Sequence, residues 1–483
     1  MMDMLEIVRY LLQFMIGENH YEEISHLVGY CSDSASFQPF KVVIVPSDFF
    51  KEGVYGSNKT NPSIPLKHID GVPLLFGTPD IERVGDTIVV HADLVASAYF
   101  LVSRYEEMLH RHLRDAHGRF PGRESLPYRA GFIDRPIVEE YGQLIRKWLK
   151  QNGVTLSEPA AQIRKINLTH DVDEPFYCRT WRNVARHLLS GRSLASAIRA
   201  KYGPVERDLY FTFPWMLHQD NVLQLEIGED RCQSFLFFKA GGKTKKDKPY
   251  YHLDGKDIRV LLALCREHRV IVGLHSSYSA GMTPSFIATE KKQLETTFGM
   301  EIKHNRHHYL SSREPEEMEY LEQEGFTDDY TMGYADVSGF RLGTSLPVRY
   351  INCQTRRLTS LTLHPLIIMD GTLNHPNYMN LTAEKAEAYC FQLIQRIQQV
   401  NGDLTLLWHN TSVVEGAGYL RDLYRKIIIG IRSQESGVRS QESGVRSQES
   451  GVRSQESGVR SQESGIRSQE SGINSPFEGG RGM

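Results

Sequence analysis

The sequence is short of several things, and each shortage removes a class of protein. Its 483 residues hold six cysteines: Cys31, Cys178, Cys232, Cys265, Cys353 and Cys390. None sits in a CxxC pair or a dense array, so neither a disulfide scaffold nor a structural zinc site is expected, and a reducing compartment fits. No run of about 18 apolar residues occurs, so no transmembrane span is predicted. The N-terminus lacks the basic start, unbroken apolar run and small-residue cleavage site of a secretory leader. Glu6 and Arg9 interrupt residues 5–16, where Leu5, Val8, Leu12 and Met15 have helical spacing instead. The cytoplasm is therefore the default location. Charge of one sign is also missing. A net charge of −3 gives no electrostatic case for nucleic acid or an anionic membrane. What remains is an ordinary globular composition, 40% apolar and 24% charged, at a length that suits two or three domains.

Three regions follow from the pattern. Residues 1–155 read as an α/β unit. Short strand patterns lie at 41–46, 71–77 and 86–91, and helical stretches at 92–110 and 136–151. Gly153 to Pro159 reads as a linker. From 160 to 430 strands and helices alternate, with strands expected at 163–170, 234–239, 270–276, 301–309, 329–334, 360–368 and 404–409. That alternation predicts parallel βαβ units and an α/β fold, either a barrel of about seven strands or an open doubly wound sheet. From Arg432 to Ile473 the heptad Arg-Ser-Gln-Glu-Ser-Gly-Val/Ile repeats six times. With one apolar residue and one glycine per repeat it has no coiled-coil seam. The tail 431–483 is expected to be disordered and to have no part in catalysis.

Four polar clusters end β-type runs in the second region. The first is Thr169-His170-Asp171-Val172-Asp173. Alternation points Thr169, Asp171 and Asp173 to one face, where one carboxylate could bind a divalent metal and the other act as general base, or where the pair could simply cap a turn. His170 should point to the opposite face. The second is His275-Ser276 after Ile271-Val272-Gly273-Leu274; His275 suits a metal ligand or an ordinary hydrogen-bonded histidine. The third is His304-Asn305-Arg306-His307-His308, where Arg306 and His308 share a face. Arg306 could orient a carboxylate or lie on a solvated basic edge. The fourth is Leu406-Leu407-Trp408-His409, whose histidine suits a general acid or a capping role.

In this order, at strand C-termini, the clusters resemble the polysaccharide deacetylase (NodB-homology, carbohydrate esterase family 4) superfamily. The resemblance implies a distorted (β/α) barrel with a divalent metal, commonly zinc. It implies that Asp171 is the catalytic base and Asp173 a metal ligand, that His275 is a second ligand, that Arg306 holds the base, and that His409 is the acid. The implied reaction is hydrolysis of an N- or O-acetyl group on a carbohydrate. Segments Arg104-Tyr105-Glu106-Glu107, Gly118-Arg119-Phe120-Pro121 and residues 132–138 resemble an N-terminal domain of uncharacterised function found in one subgroup. Together the resemblances span roughly residues 1–425.

The pattern departs from the family at two places. Ser279 stands four residues after His275, where the family has its second metal histidine, and Asp173-Glu174-Pro175 replaces the usual Asp-Gly-Pro. His308 is the expected replacement ligand. Asp336 is a further candidate ligand and Arg341 a candidate substrate contact. The alternative function is a catalytically degenerate carbohydrate-binding or scaffold protein of glycan metabolism, with Ser279 as the mark of decay.

Overall fold

β-branched residues gather where the chain must extend, and the Asp70-Gly71 pair sits where it must reverse. The computed structural model describes residues 2–434 apart from Cys178, Thr180 and Arg192. The expected disordered tail therefore lies outside the described residues from 435 onward. Residues Met1–Ile428 form one compact unit. Among the described residues, no helix is long and apolar enough to cross a membrane.

The N-terminal region builds a sheet from β1 (Val28–Tyr30), β2 (Val42–Ile44), β5 (Gly77–Val84) and β6 (Thr87–Ala92), in the order β1-β2-β6-β5. Strands β3 (Lys67–Ile69) and β4 (Val72–Leu74) form a separate hairpin. Its two-residue turn has positive φ at both Asp70 (50°) and Gly71 (80°), the backbone that an Asp-Gly turn supplies at least cost. Strand β5 was not foreseen, because its Thr-Pro-Asp-Ile-Glu-Arg-Val sequence is exposed almost throughout and shows no apolar alternation. Helices Met2–Ile16 and Ile137–Gln151 pack closely enough that a Cβ on Gly142 would meet the Met15 carbonyl at 1.9 Å.

The second region forms a curled half-barrel sheet, compatible with a (β/α) barrel. Its strands are β7 (Lys165–Val172), β8 (Cys232–Phe238), β9 (Ile271–Ser276), β10 (His304–His307), β11 (Asp328–Asp329), β12 (Val348–Asn352), β13 (Arg357–Leu363), β14 (Ile368–Met369) and β15 (Asp403–Leu407). Among the described residues the order is β12-β13-β11-β10-β9-β8-β7-β15-β14. Every neighbouring pair is parallel except β12 with β13. Helices such as Phe213–Ile227, Lys256–Glu267, Phe286–Phe298 and Ala383–Gln399 connect successive strands. Leaving β12 aside, the strands follow chain order around the curl, with the sheet open between β13 and β14.

Two expected strands are corrected. The run 360–368 is not one strand. Pro365, which cannot donate to a ladder, breaks it after His364. Its halves join opposite parts of the sheet: β13 pairs with β11 and β14 with β15. The run 329–334 contributes only its first residue to β11, after which the chain turns through Thr331 and Gly333. Strand β12, just after Pro347, was not anticipated.

Buried charge joins the two regions. Glu107 accepts from Arg104 (Nη2, 2.6 Å) and from Arg341 (Nε 2.9 Å, Nη2 2.8 Å), while Arg104 also reaches Ser312 Oγ (2.9 Å) and its carbonyl (3.1 Å). All three charged side chains are buried. The paired arginines hold the Glu107 carboxyl down at about 2 against the upward pull of burial. Removing one partner from such a network leaves a buried charge uncompensated, at a cost of roughly 3–5 kcal/mol.

Candidate metal centre

Strand β7 runs in register between β15 and β8, which fixes the direction of every side chain at its end. His170 turns away from the curl: its ring bonds the Trp408 carbonyl (2.8 Å) and Asp220 (3.0 Å). Asp171 and Asp173 turn inward. From β9, His275 meets them with Nε2, 3.6 Å from Asp171 Oδ2 and 3.1 Å from Asp173 Oδ1. His275 Nδ1 lies 3.0 Å from the Arg306 carbonyl. That bond fixes the proton on Nδ1 and leaves the Nε2 lone pair aimed at the carboxylates.

Strand β10 pairs with β9 so that Arg306 sits opposite His275. Arg306 donates from Nη1 to Asp171 Oδ1 (3.1 Å) and from Nε to the Tyr330 carbonyl (3.0 Å), and lies over the Phe237 ring. The extended strand ends at His307. Tyr309 (φ 61°) and Leu310 (φ 53°) then adopt left-handed backbone, strained for residues with side chains. His308, at the entry to this turn, presents Nε2 3.4 Å from Asp173 Oδ1.

Among the described residues, Asp173, His275 and His308 are the three whose ligand atoms lie within 4.8 Å of one another. A metal fits this donor set on a direct observation: Asp173 Oδ1 and His275 Nε2 are both shut off from solvent and neither has a hydrogen-bond partner. Two imidazoles and a carboxylate around one point are a donor set for zinc or a similar divalent ion. Burial pushes the His308 pKa down more than Asp173 pulls it up, the direction that favours the neutral ring a ligand needs. Burial opposes ionisation of Asp173, yet His308 and His275 beside it hold its carboxyl well below the usual range.

Ser279 has a different task from the one its position suggests. Its hydroxyl donates to Asp247 Oδ2 (2.7 Å) and accepts from the Lys243 amide (2.8 Å). Asp247 also takes the Tyr278 amide (2.7 Å) and lies 3.9 Å from His308 Nδ1. Ser279 therefore braces the carboxylate behind His308 and stays outside the triad.

Across the site, His409 points Nε2 at Asp173 Oδ2 (3.6 Å) and Asp171 Oδ2 (4.0 Å). Its Nδ1 pairs with Asp370 Oδ1 (2.8 Å), and its backbone amide with Asp370 Oδ2 (2.8 Å). Burial pulls the His409 pKa down, but Asp370, with help from Asp173 and Asp171, raises it to about 10. The ring is therefore a proton carrier at neutral pH.

Sequence reasoning missed Asp370 and Lys239. Asp370 ends the apolar run Leu366–Met369, the same signal that exposed the other four clusters, but it lay beyond the strand expected at 360–368. Lys239 follows β8 and is buried, its ammonium 3.3 Å from the carbonyls of Asp247 and Pro249. Burial lowers its pKa, with Asp173 and Asp247 opposing. Two other expectations fail. Asp336 is no ligand, since it accepts the amides of Gly122 (2.8 Å) and Arg123 (3.1 Å) from the N-terminal region. Arg341 is no substrate contact, since Glu107 and the Gly333 carbonyl occupy its guanidinium.

Residues 6–153 match a family of unknown function (DUF7033). No curated protein matches the chain. Among solved structures, the chain is similar to one titled as a polysaccharide deacetylase from Mycobacterium smegmatis, at 14% identity and a TM-score of 0.35, covering 59% of this chain and 94% of that one. It is also similar to the PuuE allantoinase, at 13% identity and a TM-score of 0.33, covering 57% and 88%. At that level of likeness neither neighbour speaks to this chain's activity.

Proposed function

We propose that residues 160–430 act as a metal-dependent hydrolase that removes an N- or O-acetyl group from a carbohydrate, with residues 1–155 as an N-terminal domain joined to it. The observation that carries this reading is the meeting of two unpartnered buried ligand atoms, Asp173 Oδ1 and His275 Nε2, with His308, between an Arg306-held carboxylate and an Asp370-held imidazolium. Asp173, His275 and His308 would hold the ion, with Zn2+ the best match to the ligand types. Such an ion, when bound, supplies Lewis acidity toward the acyl carbonyl.

The chain's own residues divide the rest. Asp171 takes a proton from the attacking water as its oxygen bonds the acyl carbon. Arg306, donating to Asp171 Oδ1, keeps that carboxylate aimed. His409 gives its Nε2 proton to the leaving nitrogen or oxygen as the C–N or C–O bond breaks, and Asp370 holds the ring for that transfer. Acid and base thus approach to 4.0 Å, His409 Nε2 to Asp171 Oδ2, and each has its own orienting partner.

Acetate release from a panel of acetylated oligosaccharides tests this function. The expected result is release that a chelator abolishes and added Zn2+ restores. Release indifferent to chelator, or none from any acetylated glycan, would contradict it.

A further inference from the structure

The strained turn after His308 lifts Tyr309 to the rim of the centre. Its ring lies 4.6 Å from that of His308 and is 37% exposed. The turn is held from the N-terminal region, where Arg119, itself bound to Asp115, donates to the Tyr309 carbonyl (2.7 Å). The same N-terminal loop brings His117 to 4.9 Å from Tyr309 and 5.8 Å from Tyr278. Tyr278 and Tyr309 meet edge to face at 5.5 Å. The result is an aromatic ledge made by both halves of the chain.

Cations surround that ledge. Lys246 Nζ lies 5.6 Å from the Tyr309 ring centroid, and the Arg313 guanidinium 5.8 Å from that of Tyr278. Arg313 also rests on Gly118, where a Cβ would come within 2.8 Å of its Cζ. Its Nε is closed to solvent and has no acceptor. Among the described residues, no carboxylate pairs with Lys246 or Arg313, whereas Asp115 is taken by Arg119 and Asp247 by Ser279 and Thr244. His117 feels these charges: its pKa is lowered first by burial, then by Arg119, with Asp115 opposing and Lys246 and Arg313 adding to the fall.

We propose that Tyr309, His117, Lys246 and Arg313 form a subsite beside the metal centre for a carboxylated sugar, a uronate residue of the glycan. The ring's apolar face stacks on Tyr309, and the carboxylate meets the unpaired guanidinium of Arg313 with Lys246 nearby. A planar fork matches a carboxylate better than it matches a neutral hydroxyl. The subsite rests on the proposed carbohydrate function and narrows its substrate to acidic glycans.

Calorimetric titration with a galacturonate hexamer and with an uncharged glucose hexamer, neither bearing acyl groups, tests it. Full-length protein is expected to bind the galacturonate hexamer about tenfold more tightly, roughly one charge-assisted contact, with the preference shrinking as salt rises. Lys246→Ala, an exposed position that leaves the fold intact, and Arg313→Gln should each reduce that preference. Equal binding, no binding of the acidic hexamer, or a preference surviving both substitutions would overturn the subsite. Since no acyl group is present, this result and acetate release fail independently of each other.

Discussion

Asp171→Asn is expected to slow acyl release by about 10³-fold, the upper part of the range for losing a general base. The substitution keeps the shape of the side chain but removes its capacity to take a proton. It also leaves the buried Arg306 without its counter-charge (Nη1 to Asp171 Oδ1, 3.1 Å), so the variant should unfold at lower temperature. Metal content should stay near that of the wild type, because Asp173, His275 and His308 are untouched. The check is kcat on an acetylated oligosaccharide beside metal analysis of the same preparation. A rate within a few fold of wild type would remove Asp171 from the role of base.

His409→Gln carries the second large effect, and its size should depend on the leaving group. An amine or sugar alkoxide needs a proton as it departs, and there the loss should approach about 10²–10³-fold. An activated aryl acetate needs none, so its hydrolysis should hardly change. Asp370→Asn should fall between these limits, at about 10–100-fold, as for other residues that orient a reacting group. Asp370 bonds both the amide and the ring of His409, at 2.8 Å each, so the ring loses its orientation as well as its charge partner. Equal losses on both substrate types would rule His409 out as the acid.

Much of the site's location was legible because four of its elements obey one grammar: an apolar β-run ending in a polar cluster. Thr169 to Asp173, His275, Arg306 and His409 all follow it, and parallel pairing in register carries their side chains to one end of the sheet. Period-two alternation also sent His170 to the opposite face, where Asp220 and the Trp408 carbonyl receive it. Asp370 escaped because Pro365 divides a run that reads as continuous, and β14 crosses to the far side of β15. The bracing role of Ser279 escaped because Asp247 reaches it from a loop 32 residues away, which spacing along the chain cannot reveal. The contact surface of the N-terminal region escaped for a related reason. Arg104, Glu107 and Arg119 stood out as a pattern, but their partners Ser312, Arg341 and Tyr309 are about 190 or more residues distant. Strands β5 and β12 carried no periodic signal to read.

Metal analysis of the purified protein and three single variants tests the central claim most directly. Wild type is expected to carry close to one equivalent of zinc or another divalent ion per chain. Asp173→Ala and His308→Ala should lose it, while Ser279→Ala, which removes only a brace on Asp247, should keep most of it. Protein without tightly bound metal, or metal retained in His308→Ala and lost in Ser279→Ala, would contradict the assignment of Asp173, His275 and His308 as the centre.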